Sequence, residues 1–432
     1  MIKLPKAVSD VMMRVEEKKF SIYAVGGCVR DSLLGFQPLD WDLATDATWQ
    51  ELVEILPEAE VLNEKLSVVR LLPEKEKGDE GLIIDIATFR VEKDYDDHKR
   101  PSLITFVKDI ESDLKRRDFT ITAIAVSPSK GVADPFNGRE DLKNKILKTV
   151  GDPDVRFKED PSRMIRGIRM AAEHDLIIEE KTFKAMVRNA EETQFVSKEK
   201  LLDEFLRIIS SEKAGEGLRF LAGADLMPYI IGEEIAHKMS RHELDDFSTY
   251  CDNIHKTKRN ELRRTGLFYY IFRGSRSVKA ASELPHTKEY MTHFQDQYNY
   301  LEKLYFMKTT EELKRLIAKI GMDRYTYLHN LSKAQRIIMD GAEDKIVSRE
   351  IQMSEIKANK EPIFIEDLAI DGDDLIEAGF SQGEDLGKML LMLLDAVHKT
   401  PKKNNKKDLI KLAKIYKRNP IRRHARNVRW LR

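Results

Sequence analysis

The stretch "YAVGGCVRDSLLGFQPLDWDLAT" (residues 23–45) decides the fold of the N-terminal part of the chain. A short apolar run ends at a glycine pair, a helical segment with an Arg-Asp pair follows, and a second apolar run carries an aspartate on each side of a tryptophan. Strand side chains alternate between the two faces of a sheet, so Asp40 and Asp42 share one face, and Trp41 and Leu43 share the other. The stretch therefore predicts a strand–turn–helix–strand unit with a carboxylate pair on one face.

Asp40 and Asp42 form a candidate metal site. Two carboxylates on one strand face repel each other, and burying them without a counter-charge is costly. A divalent cation removes that repulsion, and ligands that are all oxygens favour Mg²⁺. Two such ions, about 4 Å apart, stabilise the attacking and leaving oxygens of a phosphoryl transfer. Asp85 in "LIIDIATF" (82–89) is a candidate third ligand, while exposed strand-end charges and a solvated strand face are the alternatives for these aspartates.

The glycine pair, Gly26 and Gly27, lies between a predicted strand and a predicted helix. A backbone without side chains can approach a phosphate closely, and the first turn of the helix offers free N–H groups. Arg30 can add a charge-assisted contact. The stretch has neither a Walker loop nor the G-x-G-x-x-G pattern of a Rossmann fold. Our interpretation is a triphosphate site beside the metal site, and a plain turn is the alternative.

Two arginine-rich stretches follow. In "LKRRDFTITAIAV" (114–126), Arg117 precedes Asp118, which can hold an arginine oriented toward an anion. "FKEDPSRMIRGIRMAAEHDL" (157–176) predicts a helix with Asp160 as its N-cap and Pro161 at its first position. The many apolar residues of this helix indicate burial, so its arginines should have anionic partners, although a cap followed by solvated arginines is the alternative. These arginines recur every three residues along one side: Arg163, Arg166 and Arg169.

Asp160 and Arg163 also suggest a way to select nucleotide bases. Cytosine and adenine both present an amino donor beside a ring-nitrogen acceptor, and guanine and uracil present different patterns. A carboxylate accepts from the amino group, and a guanidinium donates to the ring nitrogen. The two side chains would therefore accept C and A and reject G and U without a nucleic-acid template.

The remainder of the chain indicates a second, helical part. With 432 residues, the chain is too long for a single core. Strand patterns nearly vanish after residue 150, and helical periodicity continues beyond it. Lys and Arg together number 74, as do Asp and Glu, but residues 399–432 hold eight Lys and six Arg against one acid. Such an end is typical of either an RNA-binding arm or a solvated tail.

Other features exclude some classes of protein. The two cysteines, Cys28 and Cys251, have no metal-ligand spacing and do not indicate a disulfide scaffold. The first 20 residues predict an amphipathic helix and not a signal peptide. No stretch approaches the roughly 20 apolar residues of a membrane span. We therefore expect a cytoplasmic globular protein.

Several motifs within residues 20–175 together resemble class II tRNA nucleotidyltransferases, the bacterial CCA-adding enzymes, which are related to bacterial poly(A) polymerases. In order, these motifs are "GGCVRD", "LDWDLAT", "RRDFTITAIA", "DPFNGREDL" and "EDPSRMIRGIR". The resemblance implies an α+β fold, with a polymerase-β-like nucleotidyltransferase head built on a mixed sheet and all-α neck, body and tail domains. We predict the head over 1–150, the neck with the base-selecting helix over 151–215, the body over 216–330 and the tail with its basic end over 331–432.

The resemblance also implies a reaction and its participants. The tRNA 3′ end would be extended from CTP and ATP, with tRNA as the partner, no membrane, and an oligomeric state left open. Asp40 and Asp42 would be the catalytic residues and would bind Mg²⁺. The residues that would bind the nucleotide are Gly27, Arg30, Arg117, Asp160, Arg163, Arg166 and Arg169.

Two stretches bear on which member of the family this is. Relatives that add only CC lack a loop that is intact here as "RVEKDYDDHKRPSLITF" (90–106), and residues 60–72 lack the basic-aromatic run of poly(A) polymerases. Complete CCA addition is our prediction. The alternatives are an enzyme that adds only the terminal A, a poly(A) polymerase, a non-catalytic RNA-binding relative and a nucleotide-binding regulator. In place of the family's Lys-His-Gly-Thr-like stretch, the chain has "NEKLSVVRLL" (63–72), so a ligand contact from that loop is not expected.

Overall fold

The computed structural model describes residues 2–73, 81–93, 103–239, 307–339 and 344–418, and scattered positions between 241 and 304. The chain forms two compact units. One consists of Met1–Asp252 with Lys279–Pro285, and the other of Asn253–Val278 with His286–Arg432. All the site residues predicted from the sequence belong to the first unit. The boundaries between head, neck, body and tail stay predictions.

A mixed sheet lies at the centre of the first unit. In the part of the chain that the structure describes, it has seven strands in the order β3-β4-β5-β2-β1-β8-β9, and two strand pairs, β6-β7 and β10-β11, lie apart from it. Within the sheet, β2 and β5 run parallel, with Asp42 opposite Asp85, and the other neighbours run antiparallel. The strands are β1 (Ile22–Val25), β2 (Asp40–Thr45), β3 (Glu60–Asn63), β4 (Val68–Leu71), β5 (Ile83–Thr88), β6 (Arg90–Lys93), β7 (Leu103–Phe106), β8 (Ala125–Ser127), β9 (Gly131–Ala133), β10 (Ile146–Leu147) and β11 (Ile177–Ile178).

The alternation predicted for β2 is confirmed. Trp41 and Leu43 are buried in the core, whereas Asp40 and Asp42 are exposed on the other face. The indole Nε1–H of Trp41 donates to the carbonyl oxygen of Pro38 at 3.0 Å, which satisfies the polar atom of a ring that is otherwise in apolar surroundings. The burial of its apolar face thus fixes β2 in one register, with the carboxylates directed away from the core.

Short helices flank this sheet, and a set of longer ones follows it. The amphipathic helix predicted at the N-terminus is confirmed as α1, which packs Val8, Met12 and Val15 into the head core. The helices of the first unit are α1 (Lys6–Glu17), α2 (Gly27–Leu33), α3 (Trp49–Ile55), α4 (Ile110–Lys115), α5 (Gly138–Lys143), α6 (Pro153–Glu159), α7 (Ser162–His174), α8 (Glu180–Arg188), α9 (Lys198–Ser210), α10 (Ala214–Gly223), α11 (Met227–Ile231) and α12 (Glu233–Lys238).

The arginine helix α7 begins one residue later than the sequence predicts, at Ser162 instead of Pro161. The difference is small, because Pro161 already has helical dihedral angles and helix ends are uncertain by a residue or two. Asp160 nevertheless acts as predicted, since its Oδ1 accepts the backbone N–H of Ser162 at 3.0 Å. This carboxylate therefore satisfies one of the free donors at the start of α7.

The second unit is helical in its described residues. Two apolar clusters lie within it, one around Leu313, Ile317 and Leu328, and one around Leu375, Leu393 and Leu409. None of the helices in the described part of the chain combines the length and hydrophobicity that crossing a lipid bilayer requires. The helices are α13 (Thr310–Ile320), α14 (Met322–Met339), α15 (Asp344–Ala358), α16 (Gly372–Glu377), α17 (Glu384–Lys399) and α18 (Lys406–Arg418).

Candidate active site

The glycine pair lies where β1 passes into α2, as predicted. Gly26 has a φ of +79°, a conformation that L side chains rarely adopt. A Cβ at this position would lie 3.1 Å from Nη1 of Arg117 and 3.5 Å from Oδ2 of Asp42. The missing side chain thus lets the backbone of the turn approach both the arginine and the aspartate.

The two aspartates of β2 are adjacent to this turn. Among the described residues, neither carboxylate makes a hydrogen bond or an ion pair, although Arg117 is close enough to Asp42 to affect it. Desolvation by the surrounding protein raises the pKa of the Asp42 carboxyl. The charges of Asp85 and Asp40 raise it further, and Arg117 opposes the rise. A divalent cation would relieve this repulsion, so the chemistry of the two side chains fits a metal site.

Asp85, the candidate third ligand, has a partner within the protein. It lies opposite Asp42 in the parallel β2–β5 pair. Its two oxygens accept from Nε and Nη2 of Arg70 at 2.7 Å and 2.8 Å, which is a bidentate ion pair. Within the described residues, no group of three or more His, Cys, Asp or Glu side chains is arranged to bind a metal ion. A cation at this site would therefore rest on Asp40 and Asp42.

Asp113, which the sequence reasoning missed, holds the arginine pair of the RRD stretch. Its Oδ1 accepts from Nε and Nη2 of Arg116 at 3.0 Å and 2.9 Å, and its Oδ2 accepts from Nη2 of Arg117 at 3.3 Å. The carboxyl is buried, which alone would raise its pKa, but the two guanidinium groups bring the pKa below its usual value. The spacing of three and four residues within one helical turn was the signal that could have revealed this contact.

Asp118 does hold an arginine, but from a different helix. Its Oδ2 accepts from Nη1 of Arg166 at 2.9 Å, and its Oδ1 accepts from the hydroxyl of Thr122 at 2.7 Å. Burial alone would raise the pKa of this carboxyl, but Arg166, Thr122 and Arg163 lower it far below its usual value. Asp118 is thus a fixed anion that joins the head to α7.

The two residues predicted to select the base differ in their contacts. Oδ1 of Asp160 accepts from the backbone and hydroxyl of Ser162. Its Oδ2 is 3.7 Å from Nζ of Lys200 and, within the described residues, accepts no hydrogen bond. Arg163 is buried and donates from Nη1 to Oε2 of Glu159 at 2.8 Å. One carboxylate oxygen of Asp160 therefore stays available to a ligand.

The far end of α7 carries a second set of paired charges. Arg169 donates to Glu204 at 2.5 Å and also contacts Glu173, which in turn accepts from Nε of Arg207 at 3.1 Å. Glu204 lies on α9, 35 positions beyond Arg169, so no local pattern indicates this contact.

Several of these groups line one cavity of about 460 Å³. Its lining contains eight arginines and four acidic residues, so the lining side chains carry a net positive charge, and carboxylates outside the lining, such as Asp113 and Glu204, pair with some of these arginines. Asp40 and Asp85 are absent from the lining, and Arg90, Glu92, Thr122, Met170 and Arg207 were not foreseen. Of the residues predicted from the sequence, the lining includes Gly27, Arg30, Asp42, Arg117, Asp160, Arg163, Arg166 and Arg169.

Comparison with known proteins identifies the family. Residues 22–148 match the family model "Poly A polymerase head domain", and residues 175–239 match "Probable RNA and SrmB- binding site of polymerase A". The CCA-adding enzyme of Streptococcus thermophilus is 30% identical over 392 residues, which cover 90% of this chain and 91% of that protein. This chain belongs to the CCA-adding enzyme family. The resemblance read from the five motifs is thereby confirmed.

Other members of the CCA-adding enzyme family match over a shorter region. The enzyme of Geobacillus thermodenitrificans is 36% identical over 222 residues, which cover 51% of this chain and 54% of that protein. A similar match to the Geobacillus kaustophilus enzyme is 35% identical over 222 residues. The chain thus aligns with about half the length of these relatives.

Solved structures of CCA-adding enzymes share the fold. The Bacillus stearothermophilus enzyme in complex with CTP superposes with a TM-score of 0.73 at 23% identity, over 95% of this chain and 97% of that chain. The Thermotoga maritima enzyme complexed with tRNA superposes with a TM-score of 0.67 at 22% identity, over 95% of this chain and 96% of that one. At this identity, the likeness confirms the predicted fold: a head with a mixed sheet, followed by helices.

Proposed function

We propose that this protein adds CCA to the 3′ end of tRNA, using CTP and ATP and no nucleic-acid template. The 3′-hydroxyl of the RNA attacks the α-phosphate of the nucleotide, and pyrophosphate leaves. Membership of the CCA-adding enzyme family supports the proposal, as do the CTP and tRNA complexes of proteins with the same fold.

The observation that carries the proposal is the charge of the cavity beside β2. Eight arginines against four acidic residues suit a nucleoside triphosphate, which carries several negative charges. Buried carboxylates hold Arg117, Arg166 and Arg169 in place before a ligand arrives. Donors that are already oriented bind charge at little cost of reorganisation, which favours nucleotidyl transfer over loose anion binding.

Asp40 and Asp42 would hold a divalent cation, for which Mg²⁺ is the match by ligand chemistry. When bound, such an ion favours ionisation of the RNA hydroxyl and offsets the charge of the departing pyrophosphate. Gly26 leaves the space in which the phosphates can approach Asp42 and Arg117. Asp118 keeps Arg166 charged and directed at the cavity.

Asp160 and Arg163 would select the base. Oδ2 of Asp160 is available to accept from the amino group of cytosine or adenine, and the guanidinium of Arg163 donates to the ring nitrogen beside it. Guanine and uracil would place a carbonyl oxygen against the carboxylate, which is repulsive. The fixed contact between Arg163 and Glu159 supports a rigid edge that discriminates by pairing pattern.

The tail provides a surface that suits RNA. The basic side chains of residues 402–418 are exposed, and a row of cations binds the phosphate backbone independently of sequence. These residues are Lys402, Lys403, Lys406, Lys407, Lys411, Lys414, Lys417 and Arg418. We propose that they contact the body of the tRNA while its 3′ end enters the head.

Extension of three tRNA transcripts tests the proposal. The transcripts end before CCA, after C and after CC, and each is incubated with Mg²⁺ and labelled CTP, ATP, GTP or UTP, and with CTP and ATP together. Completion of all three to CCA, followed by a stop, is the expected result. Label from ATP alone on the CC-ended transcript would identify an A-adding enzyme, long A tails a poly(A) polymerase, and no extension a non-catalytic relative.

A further inference from the structure

The loop between α2 and β2 exposes an unusual amount of apolar surface. Phe36 is 61% exposed and Leu39 58% exposed, and the neighbouring Leu33 and Leu34 are also exposed. Leu39 directly precedes Asp40, the first of the two aspartates on β2. An apolar loop at this position is costly to leave in water unless it binds something.

This loop is held at both ends. At the end of α2, Gly35 has a φ of +89°, and the backbone N–H of Phe36 donates to the carbonyl of Asp31 at 2.9 Å, as in a Schellman motif. In that motif the residue after glycine commonly packs on the last helical turn, but most of the Phe36 ring is left uncovered. At the other end, Trp41 and Ile83 bind the carbonyls of Pro38 and Leu39 at 3.0 Å and 2.9 Å. The ring is therefore presented by a fixed backbone.

His174, the last residue of α7, lies beside this ring. The two ring centroids are 6.4 Å apart. The His174 side chain is only 10% exposed, yet neither ring nitrogen has a hydrogen-bond partner in the described residues, and the carboxylate of Asp31 is 3.7 Å away. Burial lowers the pKa of His174 to about 4, with the charges of Arg30, Arg169 and Arg207 lowering it and Asp31 raising it. The imidazole is therefore neutral at pH 7, and both of its nitrogens are buried.

We infer that Phe36, with His174 beside it, stacks against the base at the 3′ end of the RNA that is to be extended. The inference rests on the proposed function, because an attacking 3′-hydroxyl has to reach Asp40 and Asp42. Single-stranded RNA ends are recognised by stacking on aromatic side chains and by hydrogen bonds to base edges or the 2′-hydroxyl. The uncovered Phe36 ring supplies the stacking contact. Both ring nitrogens of His174 are buried, so this side chain supports the Phe36 ring and does not contact the RNA itself.

The incoming nucleotide is a less suitable occupant. Phe36 and His174 are not part of the lining of the arginine cavity, although Arg30, Arg169 and Arg207, whose charges act on His174, are. The cavity supplies the charge that a triphosphate needs, whereas the loop supplies apolar area next to the aspartates. An uncharged base attached to an RNA strand matches the loop, and a triphosphate matches the cavity.

Fluorescence of an RNA that carries 2-aminopurine as its 3′-terminal base tests this inference, because stacking quenches that base. The wild-type protein and Phe36→Tyr should quench it. Phe36→Ala should lose the quenching and bind the RNA about tenfold more weakly, as expected for one lost base–aromatic contact. Phe195→Ala is the matched control, because Phe195 is also an exposed phenylalanine, at 41%, but lies outside this loop and the cavity lining. That control should behave like the wild type.

Quenching and affinity that are unchanged in Phe36→Ala would overturn the inference. So would quenching of free 2-aminopurine ribonucleoside triphosphate instead of the RNA, because the occupant would then be the nucleotide. His174→Phe keeps a ring beside Phe36 and removes only nitrogens that are buried, so it should quench and bind the RNA like the wild type. In turnover, Phe36→Ala should raise the KM for RNA and leave the KM for ATP unchanged. Quenching by a wild-type protein that extends no transcript would refute the proposed reaction and leave the stacking site standing.

Discussion

The β2 side and the α7 side of the cavity both carry an aspartate, and the two aspartates have opposite pKa shifts. On β2, the pKa of Asp42 is raised by desolvation and by the charges of its neighbours Asp85 and Asp40. Near α7, the pKa of Asp118 is lowered because Arg166, Thr122 and Arg163 outweigh its burial. The ionised aspartate is thus disfavoured on the β2 side of the cavity and stabilised on the α7 side.

The contrast separates two roles within one site. Some carboxylates orient the cavity arginines and are paired with them before a ligand arrives, as Asp113, Asp118 and Glu204 are. A carboxylate that is left without a partner and repelled by its neighbours is suited to a cation from solution. If this division holds, removing a charge should have opposite effects on stability on the two walls.

Asp42→Ala should have the largest effect, a loss of turnover of at least about 1,000-fold. A bound cation contributes several kcal/mol to the transition state, and each 1.4 kcal/mol or so corresponds to tenfold in rate. Single-turnover extension of the CC-ended transcript measures the loss, and filter binding should show nearly unchanged tRNA affinity. Glu64→Ala, which removes an exposed carboxylate elsewhere in the head, should leave turnover unchanged.

The isosteric change Asp42→Asn sharpens the comparison, because it separates stability from activity. A raised carboxyl pKa means that ionisation of Asp42 costs stability at neutral pH, and that this cost disappears as the pH falls below the folded-state pKa. The melting temperature in EDTA should therefore rise in the variant, while the additional stabilisation that Mg²⁺ gives the wild type should be lost. A lower melting temperature in EDTA would contradict the strained-carboxylate account.

Asp118→Asn should destabilise the fold by about 3 kcal/mol, since it leaves the guanidinium of Arg166 without its buried partner. A lowered folded-state pKa contributes stability that is complete above the ordinary aspartate pKa of about 3.9 and is lost as the pH falls below it. Urea unfolding at pH 7 should show the deficit, and the difference between the two proteins should begin to narrow below pH of about 4 without closing at pH of about 3. Glu180→Gln breaks an exposed ion pair and should have no measurable effect.

Asp160→Ala should reduce the discrimination between CTP and UTP by about 10- to 100-fold, as expected for one lost hydrogen-bonding contact to a base edge. It should also cost about 1 kcal/mol of stability, because Asp160 caps α7. Competition between labelled CTP and UTP on one transcript measures the first effect, and thermal unfolding the second. Asp160→Ser can restore the cap without the second carboxylate oxygen, so it should recover stability but not selection. Unchanged selection in both variants would remove Asp160 from the base-reading role.

The candidate site residues could be predicted from the sequence where their pattern lies within a single helix or strand. The alternation of Asp40, Trp41 and Asp42 and the three-residue spacing of the α7 arginines lie within single elements and predicted which side chains share a face. Asp42 and the three arginines line the cavity, whereas Asp40 does not. Their partners did not follow, because Arg166 meets Asp118 across 48 positions and Arg169 meets Glu204 across 35. The sequence thus predicted that the arginines of α7 have anionic partners, but only the structure shows which residues these are.

The same limit applies to elements that depend on more distant pairing. Asp85 looked like a ligand because an acid inside an apolar strand requires a reason, and that reason proved to be Arg70 on the neighbouring strand. The intact loop at residues 90–106 lies partly outside the described residues, so its interpretation stays a prediction. The cytoplasmic location and Mg²⁺ as the specific cation are also predictions.

Gly26→Ala should have the smallest effect and tests how closely the two walls approach each other. With a φ of +79° and a ψ of −139°, this position costs an alanine about 1–3 kcal/mol, and the new Cβ would lie 3.1 Å from Arg117 Nη1, close to the Asp42 carboxylate. Gly151→Ala is the matched control, because Gly151 has a φ of +75° and nothing lies within 4 Å of the Cβ that would be added. Both variants should lose stability in thermal unfolding, but only Gly26→Ala should raise the KM for the nucleotide, by a few fold. Equal KM values in the two variants would mean that the glycine serves the turn alone, and that the close approach of Arg117 and Asp42 is not needed for nucleotide binding.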